Sequence, residues 1–585
     1  MLYFFYTNMN RPKRNHYDNL WEIQAHIHPL TSAAEESLKD YPPIIRQLLY
    51  NRHIETKEEA ESFLNPSLQH IHDPWLMKGM EAAVDRIRFA IQKNERIAIY
   101  GDYDVDGVTG TALLYDFLKS HGANVHPYIP NRFDEGYGVR QEGLEYLKQV
   151  GTKLVITVDC GARANAEAEF ARLNGIDLII TDHHQPHHLV PTAIAMLNPK
   201  QDGETYPYSE LSGVGIAFKL IQALEQTLYS STNISTHYLD LVALGTIADI
   251  APLSGENRIL VYYGLQQLQR TQRIGLKALI AMSNLKDQEI NAYHVGYLLA
   301  PRLNAAGRLE SAYAAFKLLT TNDSQQALTL SQELDNQNRQ RQEITLQHDL
   351  QAMQQVEADF ESSPLLVAFQ QTFNSGVIGL VAAHLVEAYY RPAIVATEFN
   401  GFIRGSCRSI PEFHITKALD ECRDLMEYHG GHAAAAGFTI RKDRFQELVY
   451  RLKQIAQREL DIQLLQPKLR ADLAVDLVEI SRLLREYPLV PTLERFQPTG
   501  HGNPTPTFVS YNLRPSNYKR IGRDQSHLRF DIAPAWKCIA FRRGDLVDTQ
   551  PEYVDILYHI EKNTFNGNTY LQLNVRDIKP SQFTR

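Results

Sequence analysis

I-Y-G-D-Y-D-V-D-G-V-T-G, residues 99–110, is the stretch from which the rest of the chain can be read. Before it, Arg96 to Tyr100 is a short apolar run with strand character. After it, Thr109 to Ser120 carries apolar residues at helical spacing. Between the two, Asp102, Asp104 and Asp106 fall within five residues. Like charges this close repel one another and lose hydration on burial. A cation would neutralise them, and carboxylate oxygens suit hard divalent ions such as Mg²⁺ or Mn²⁺. Gly101 and Gly107 allow the backbone to turn tightly on either side. The plain alternative is an exposed acidic turn that caps a helix. An EF-hand does not fit, because a strand precedes the loop and the twelfth position from Asp102 is Leu113 rather than Glu.

Composition narrows the class. A chain of 585 residues predicts three or four domains. Hydrophobic residues at 44% and charged residues at 22% are ordinary for a soluble globular protein. The cysteines, Cys160, Cys407, Cys422 and Cys538, have no C-x-x-C spacing, which argues against a zinc module or a disulfide framework and fits a reducing cytoplasm. No apolar run is long enough to span a membrane. The opening M-L-Y-F-F-Y-T-N-M-N-R-P-K-R places its basic residues after the apolar patch, the reverse of a secretory signal. A net charge of −9 argues against a protein coated in basic surface, yet leaves room for a local basic groove that binds nucleic acid.

Along the chain, residues 1–75 predict a small helical lead-in packed on the domain that follows. Residues 76–320 alternate strand and helix. Asn124 to Ile129, Lys153 to Val158 and Asp177 to Thr181 are further β-rich runs, the last two ending in Asp159-Cys160-Gly161 and Asp182-His183-His184. Such alternation predicts a parallel sheet with helices on both faces, whose ligands sit at the carboxyl ends of the strands. Asp104 and Asp106, Asp159, and His183 with His184 each follow a strand at that edge, and the apolar segment Leu239 to Ile250 adds Asp249. Singly each could be a turn, cap or core residue. Together they predict a metal centre.

These residues carry a resemblance. The segment 99–110, D-C-G at 159–161, T-D-H-H at 181–184 and A-L-G-T-I-A-D at 243–249 resemble the DHH phosphoesterase superfamily. P-N-R-F-D-E-G-Y-G (130–138), L-N-P-K (197–200), L-S-G-V-G (211–215), G-E-N-R (255–258) and P-R-L-N-A-A-G-R (301–308) bring the chain closer to the RecJ family of single-strand-specific exonucleases, from about residue 80 to the C-terminus. Residues 321–360, rich in Gln, Leu, Glu and Arg without Gly or Pro, predict a solvated connecting helix. From 361 to 465, G-S-C-R-S-I (405–410), expected after a short strand, and G-G-H-A-A-A-A-G-F (430–438) resemble the DHHA1 domain of the same family. Phe373-Asn374 stands where relatives carry Trp-His, which puts that histidine's contribution in question here. Residues 466–585 look mostly β, with a hairpin turn at Asn566-Gly567. Between Tyr511 and Asp545, eight basic residues (Arg514, Lys519, Arg520, Arg523, Arg529, Lys537, Arg542 and Arg543) oppose three Asp. Tyr518, Phe530, Trp536 and Phe541 are interleaved with them. Basic residues track phosphates and aromatic faces stack bases. A charged surface over an aromatic core fits equally well, and the family's OB-fold at this position favours single-strand binding. F-Q-P-T-G-H-G-N-P-T-P (496–506) reads as a structural turn.

The fold expected is therefore α/β. It comprises a parallel-sheet DHH domain (76–320) and a smaller α/β DHHA1 domain (361–465), joined by a long helix (321–360), with a C-terminal β-rich OB-fold domain (466–585). The resemblance implies a 5′-to-3′ exonuclease that releases 5′-mononucleotides from single-stranded DNA by two-metal hydrolysis, in repair and recombination. It implies two Mn²⁺ or Mg²⁺ ions, which activate water and clamp the phosphoryl oxygens. Asp159 is expected to bridge them, with Asp104 on the first and Asp106, His183 and Asp249 on the second. Asp102 would be a further ligand or would orient the loop, and His184 would contact the scissile phosphate. Arg302, Asn304, Arg308, Ser406, Arg408 and His432 would hold the strand and its 5′ phosphate. A monomer acting in the cytoplasm, beside a single-strand-binding protein and a helicase, is expected on the same ground. Two rivals are weaker. Small-substrate phosphodiesterases of the superfamily tend to carry His where Tyr100 stands and lack a basic–aromatic third domain. A non-catalytic scaffold would have lost ligands that are all present here.

Overall fold

The computed structural model describes residues 19–131, 136, 138–228, 234–309, 311–358, 360–532, 536–565 and 568–581. Most of the 130–138 motif's centre, the Asn566-Gly567 turn and the opening residues lie outside these. The chain divides into two compact units. One comprises Glu61–Arg339 with Arg495–Thr505. The other comprises the described residues up to Ala60, Gln340–Glu494 and those from Pro506 onward. Among the described residues no helix is long and apolar enough to cross a membrane.

The first unit is built on strands β1 (Ile97–Gly101), β2 (Val125–Tyr128), β3 (Leu154–Val158), β4 (Asp177–Thr181) and β5 (Ala195–Leu197). They form a parallel sheet in the order β2-β1-β3-β4-β5. The two central strands are buried at every residue, and for this reason they read as unbroken apolar runs. Alternation divides their side chains between two cores. Ile97, Ile99, Ile156 and Val158 pack with α1 (Val105–Ser120), while Ala98, Tyr100 and Val155 pack with α2 (Gln141–Gln149) and α3 (Asn165–Leu173). The core on the α1 side continues into α4 (Gly213–Leu228) and α5 (Leu239–Ala248). The chain reverses direction at β1, so the crevice between the carboxyl ends of β1 and β3 is the topological switch point.

Helix α6 (Gly255–Gln269) opens with G-E-N-R, and both charged residues of that motif are buried. Glu256 pairs with Lys219 at 2.7 Å and accepts from the Tyr206 hydroxyl at 2.6 Å. The Arg258 guanidinium donates to the carbonyls of Phe63, Arg495, Phe496, Gln497 and Pro498 at 2.8–3.2 Å. The 496–506 stretch is therefore a turn gathered on one arginine. Helix α7 (Ala300–Leu309) follows a π-helical turn, Val295–Leu299.

The second unit holds a five-stranded mixed sheet and a seven-stranded sheet. In the first of these, Gly405 to Arg408 form the end of strand Phe402–Arg408, whereas a segment after the strand was expected. In the second, Phe530 and Trp536 are core residues, Tyr518 stacks on Phe530, and Arg543 is buried with Nη1 donating to the Ile578 carbonyl at 2.9 Å. Only part of the basic–aromatic run therefore faces solvent, because alternation along a strand sends every second residue inward.

Two expectations are corrected. Of the N-terminal segment, residues 61–75 belong with the sheet domain as expected, whereas the described residues up to Ala60 belong to the second unit. Leu20–Ile23 pairs in parallel with Lys468–Ala471, and Arg52 and Asn51 bind Asp472. A strand pairing across that much sequence leaves no local signal. The long helix α8 (Ser324–Val356) runs from one unit into the other, as expected of a connecting helix, but it is not solvated on all sides. Its Asp335, Asn338, Thr345 and Asp349 are buried, with Asp335 paired to Arg302 at 2.9 Å and Asp349 to His384 at 2.8 Å. Polar residues concealed the buried face because ion pairing makes their burial tolerable.

Candidate metal centre

The ladder of the parallel sheet places the acidic residues in a row. Each of three strands continues for one hydrogen bond beyond its end. Asp102 N donates to the Val158 carbonyl, Asp159 N to that of Thr181 and Asp182 N to that of Leu197, at 2.9–3.1 Å. The first residue after each strand is an aspartate, so three carboxylates stand side by side along the carboxyl edge. Asp159 adopts φ +60, a left-handed conformation that Asp tolerates better than most side chains.

Asp104 caps α1, its Oδ1 accepting from Asp106 N at 2.9 Å and Gly107 N at 3.1 Å. The helix thus begins at Val105, earlier than its apolar spacing indicates, and the capping reading of this carboxylate is correct alongside any other role. Asp106 lies in the first turn and points across to the start of α4. Its Oδ2 accepts from Gly213 N at 2.6 Å and its Oδ1 from Val214 N at 2.9 Å. The amino end of a helix favours a buried negative charge. This approach requires glycine: a Cβ on Gly213 would lie 2.6 Å from Asp159 Cβ, and one on Gly245 would lie 2.9 Å from Asp106 Oδ1.

Asp249 ends α5. His183 Nε2 lies 3.0 Å from Asp159 Oδ1 and 3.8 Å from Asp249 Oδ2. His184 turns the other way, its Nδ1 2.8 Å from Asp182 Oδ1 and 3.8 Å from Asp159 Oδ1. Asp182 Oδ2 accepts from Ala162 N at 2.8 Å, and Asn198 Nδ2 holds the His184 carbonyl at 2.9 Å. Donor atoms gather in three sets, each within 4.8 Å: Asp102 with Asp104 and Asp159, Asp106 with His183 and Asp249, and Asp159 with His183 and His184.

Crowding sets the protonation. Burial, with Asp104 beside it, pushes the Asp106 carboxyl up to about 7. Burial, then Asp106 and Asp104, raises Asp249 to about 8. Asp159 is driven well above the carboxylate range by burial and then by Asp106. Burial and the neighbouring His184 hold His183 down at about 3, so its imidazole is neutral. Burial opposes charge on His184, but the hydrogen bond to Asp182 and that carboxylate's charge outweigh it and raise the ring to about 9.

These residues fit divalent cations. His183 Nε2 is buried and makes no hydrogen bond among the described residues, as expected of a lone pair directed at a ligand. Burial and mutual repulsion raise Asp106, Asp159 and Asp249, and bound positive charge would offset both. Oxygen donors with one imidazole match Mn²⁺ or Mg²⁺.

The seven residues Asp102, Asp104, Asp106, Asp159, His183, His184 and Asp249 therefore meet at one edge. The other candidates are spread more widely. Asn304 Oδ1 accepts from Val105 N at 3.2 Å and so supports the Asp104 loop. Arg302 is held by Asp335 and the Leu298 carbonyl. Arg308 lies near the end of α7. Ser406, Arg408 and His432 belong to the second unit, where Arg408 Nη1 lies 3.3 Å from Ser406 Oγ and His432 is exposed. Asn374 N donates to His348 Nε2 at 3.0 Å. Sequence reasoning passed over Asp182, although the strand-end rule that selected Asp159 selects it equally. It also passed over Gly213 and Val214, whose contribution is backbone N–H.

Comparison with known proteins covers most of the chain. Residues 96–246 match the DHH family, N-terminal domain, residues 362–458 the DHHA1 domain, and residues 472–577 the RecJ OB domain. The single-stranded-DNA-specific exonuclease RecJ of Bacillus subtilis (strain 168) is 38% identical over 570 residues, covering 96% of this chain and 71% of that protein. The crystal structure of RecJ in complex with Mn²⁺ from Thermus thermophilus matches with a TM-score of 0.82 at 29% identity, covering 97% of this chain and 80% of that one. The Mg²⁺ complex from the same organism matches with a TM-score of 0.77 at 28% identity, over 97% and 79%. With the strand-end carboxylates, the DHHA1 strands and the C-terminal sheet all in family order, this chain belongs to the RecJ family of DHH phosphoesterases.

Proposed function

We propose that this chain is a metal-dependent exonuclease specific for single-stranded DNA, acting from the 5′ end and releasing 5′-mononucleotides in repair and recombination. The observation that carries this is the row of strand-end aspartates completed by His183 and Asp249, in a chain that matches RecJ exonucleases over 96% of its length. The cofactor is Mn²⁺ or Mg²⁺. Asp102 and Asp104 would hold one ion, Asp106, His183 and Asp249 a second, and Asp159 would serve both, which its membership of two donor sets supports. Bound there, the ions would lower the pKa of a water nucleophile and neutralise the phosphoryl oxygens.

The protein's own groups do the remainder. Gly213 N and Val214 N fix Asp106 so that its carboxylate needs no reorganisation. Asp182 orients the His184 ring and keeps it charged, so that it can donate to a phosphate oxygen. Asn304 braces the loop that carries Asp104. Arg302, Arg308, Ser406, Arg408 and His432 would bind the strand and its 5′ phosphate. In this reading the DHHA1 region 361–465 contacts the backbone and the OB region 466–585 gathers the single strand. Family membership supports action as a monomer in the cytoplasm, alongside a single-strand-binding protein and a helicase.

The test uses 5′-labelled and 3′-labelled single strands with Mn²⁺ or Mg²⁺, beside the matching duplex and a dinucleotide. Immediate release of 5′ label, late release of 3′ label and a spared duplex are expected. Cleavage of the dinucleotide alone would overturn the reading, as would full activity in Asp159→Ala.

A further inference from the structure

Helix α5 ends in a turn that raises a question about Ile250. Ile250 N bonds to the Ile247 carbonyl and Ala251 N to that of Thr246, the paired bonds of a Schellman ending. The residue at its left-handed position is normally glycine. Here it is a β-branched isoleucine at φ +61, and its side chain is 68% exposed. A large apolar group is thus retained in a strained, solvent-facing position directly after Asp249. Strain of this kind concentrates where a ligand is clamped.

A second observation lies on the segment packed against that turn. A Cβ on Gly296 would meet Ile247 Cγ2 at 3.8 Å, and Ala292 packs with Leu253, Val261 and Ile247. Next in register after Ala292 and Gly296 come Tyr293 and Tyr297. Their rings are stacked, centroids 4.8 Å apart and 29° between planes, and they are 60% and 70% exposed. Tyr297 sits in the π-helical turn Val295–Leu299, an irregularity that recurs at functional sites. The same segment continues into α7 and Asn304, which braces the loop of Asp104. Ile250 therefore directly follows Asp249, and the exposed tyrosine pair stands on the segment packed against the same helix end.

We infer that Tyr293, Tyr297 and Ile250 form a base-stacking platform for the nucleotides next to the scissile phosphate. The platform positions the strand without touching the reacting atoms. Stacking suits an enzyme that must accept every sequence, because every base offers a π face. The Tyr293–Tyr297 stack extends ring on ring to a base, and Ile250 supplies an aliphatic edge beside the metal ligand. This inference rests on the exonuclease reading above.

The experiment measures kcat/KM on single strands carrying one abasic residue at successive positions from the 5′ end, with Mg²⁺. The wild-type protein should show a dip of about 10-fold at the positions whose base would stack. Tyr293→Ala/Tyr297→Ala should flatten the dip, mainly by raising KM on the intact strand, and Tyr293→Phe/Tyr297→Phe should restore it. Ile250→Gly should melt at a higher temperature, because strain is relieved, yet discriminate less. A wild-type profile with no dip overturns the inference and leaves the exonuclease reading intact, as does a dip of wild-type size in the double alanine variant. If the wild-type protein degrades neither intact nor abasic strands, the exonuclease reading falls and this inference falls with it.

Discussion

Asp182→Asn changes almost no volume and tests how the charge of His184 is used. In the wild type, Asp182 Oδ1 faces His184 Nδ1 at 2.8 Å and His184 N at 3.1 Å, while Oδ2 faces Ala162 N at 2.8 Å. An amide keeps one acceptor but carries no charge, so the influence that lifts His184 to about 9 is removed. A ring returned to the ordinary value of about 6.5 is about 3% imidazolium at pH 8, against about 90% before, a loss of about 30-fold. At pH 6 both rings are mostly charged and the loss shrinks to less than about 2-fold. Bound cations shift these titrations to lower pH, so the readout is how the ratio of wild-type to variant kcat/KM changes across the pH range rather than its size at one pH. The assay is release of 5′ label from a single strand at saturating Mg²⁺ between pH 5.5 and 8.5. A ratio that stays constant with pH, whether near one or large, would refute a role for His184 charge.

Gly213→Ala should fold but lose about 100-fold in activity, because the new Cβ forces the backbone away from Asp159 and displaces the Asp106 clamp; Mn²⁺ affinity measured by calorimetry should fall with it. Arg258→Lys strips the gathered carbonyls of Arg495 to Pro498 of most of their donors, and unfolding should become easier by about 3–5 kcal/mol in urea melts. Undiminished stability would show that water replaces the guanidinium. The metal-free protein should lose stability as pH rises from 6.5 to 9. Asp106 and Asp249 hold their protons more tightly folded than unfolded, up to about 7 and about 8, and this advantage disappears as pH passes those values. His184 acts in the same direction up to about 9, whereas His183, depressed to about 3, contributes no slope above pH 6.5. Calorimetry with EDTA should therefore show Tm falling across this window, and Mg²⁺ should raise and flatten the curve. A rising metal-free Tm would contradict it.

The parallel sheet was legible because strands buried on both faces cannot avoid long apolar runs, and because Asp159 and the Asp102–Asp106 cluster follow such runs directly. Asp249 was legible only as a charged end to an apolar segment; that the segment is a helix did not alter its place at the edge. Asp182 was overlooked beside two conspicuous histidines, and the Asp106 clamp was invisible because backbone N–H groups carry no residue signature. Phe530, Trp536 and Arg543 misled for a different reason: composition cannot assign a face where the register of a strand is unknown. Trp21 and Arg52 anchor the N-terminal segment on Asp577 and Asp472, and contacts so distant in sequence leave no periodicity to detect.

The turn that Arg258 gathers comes from residues more than two hundred positions later, and Arg495–Thr505 belongs to the unit that carries the metal centre. That unit cannot be completed by an uninterrupted run of chain. During synthesis, the buried guanidinium must wait, hydrated or transiently paired, until translation has passed Thr505. The buried Arg258 site is thereby completed only after that late segment has been made, and a chain stopped earlier would leave this guanidinium without the carbonyls of Arg495 to Pro498.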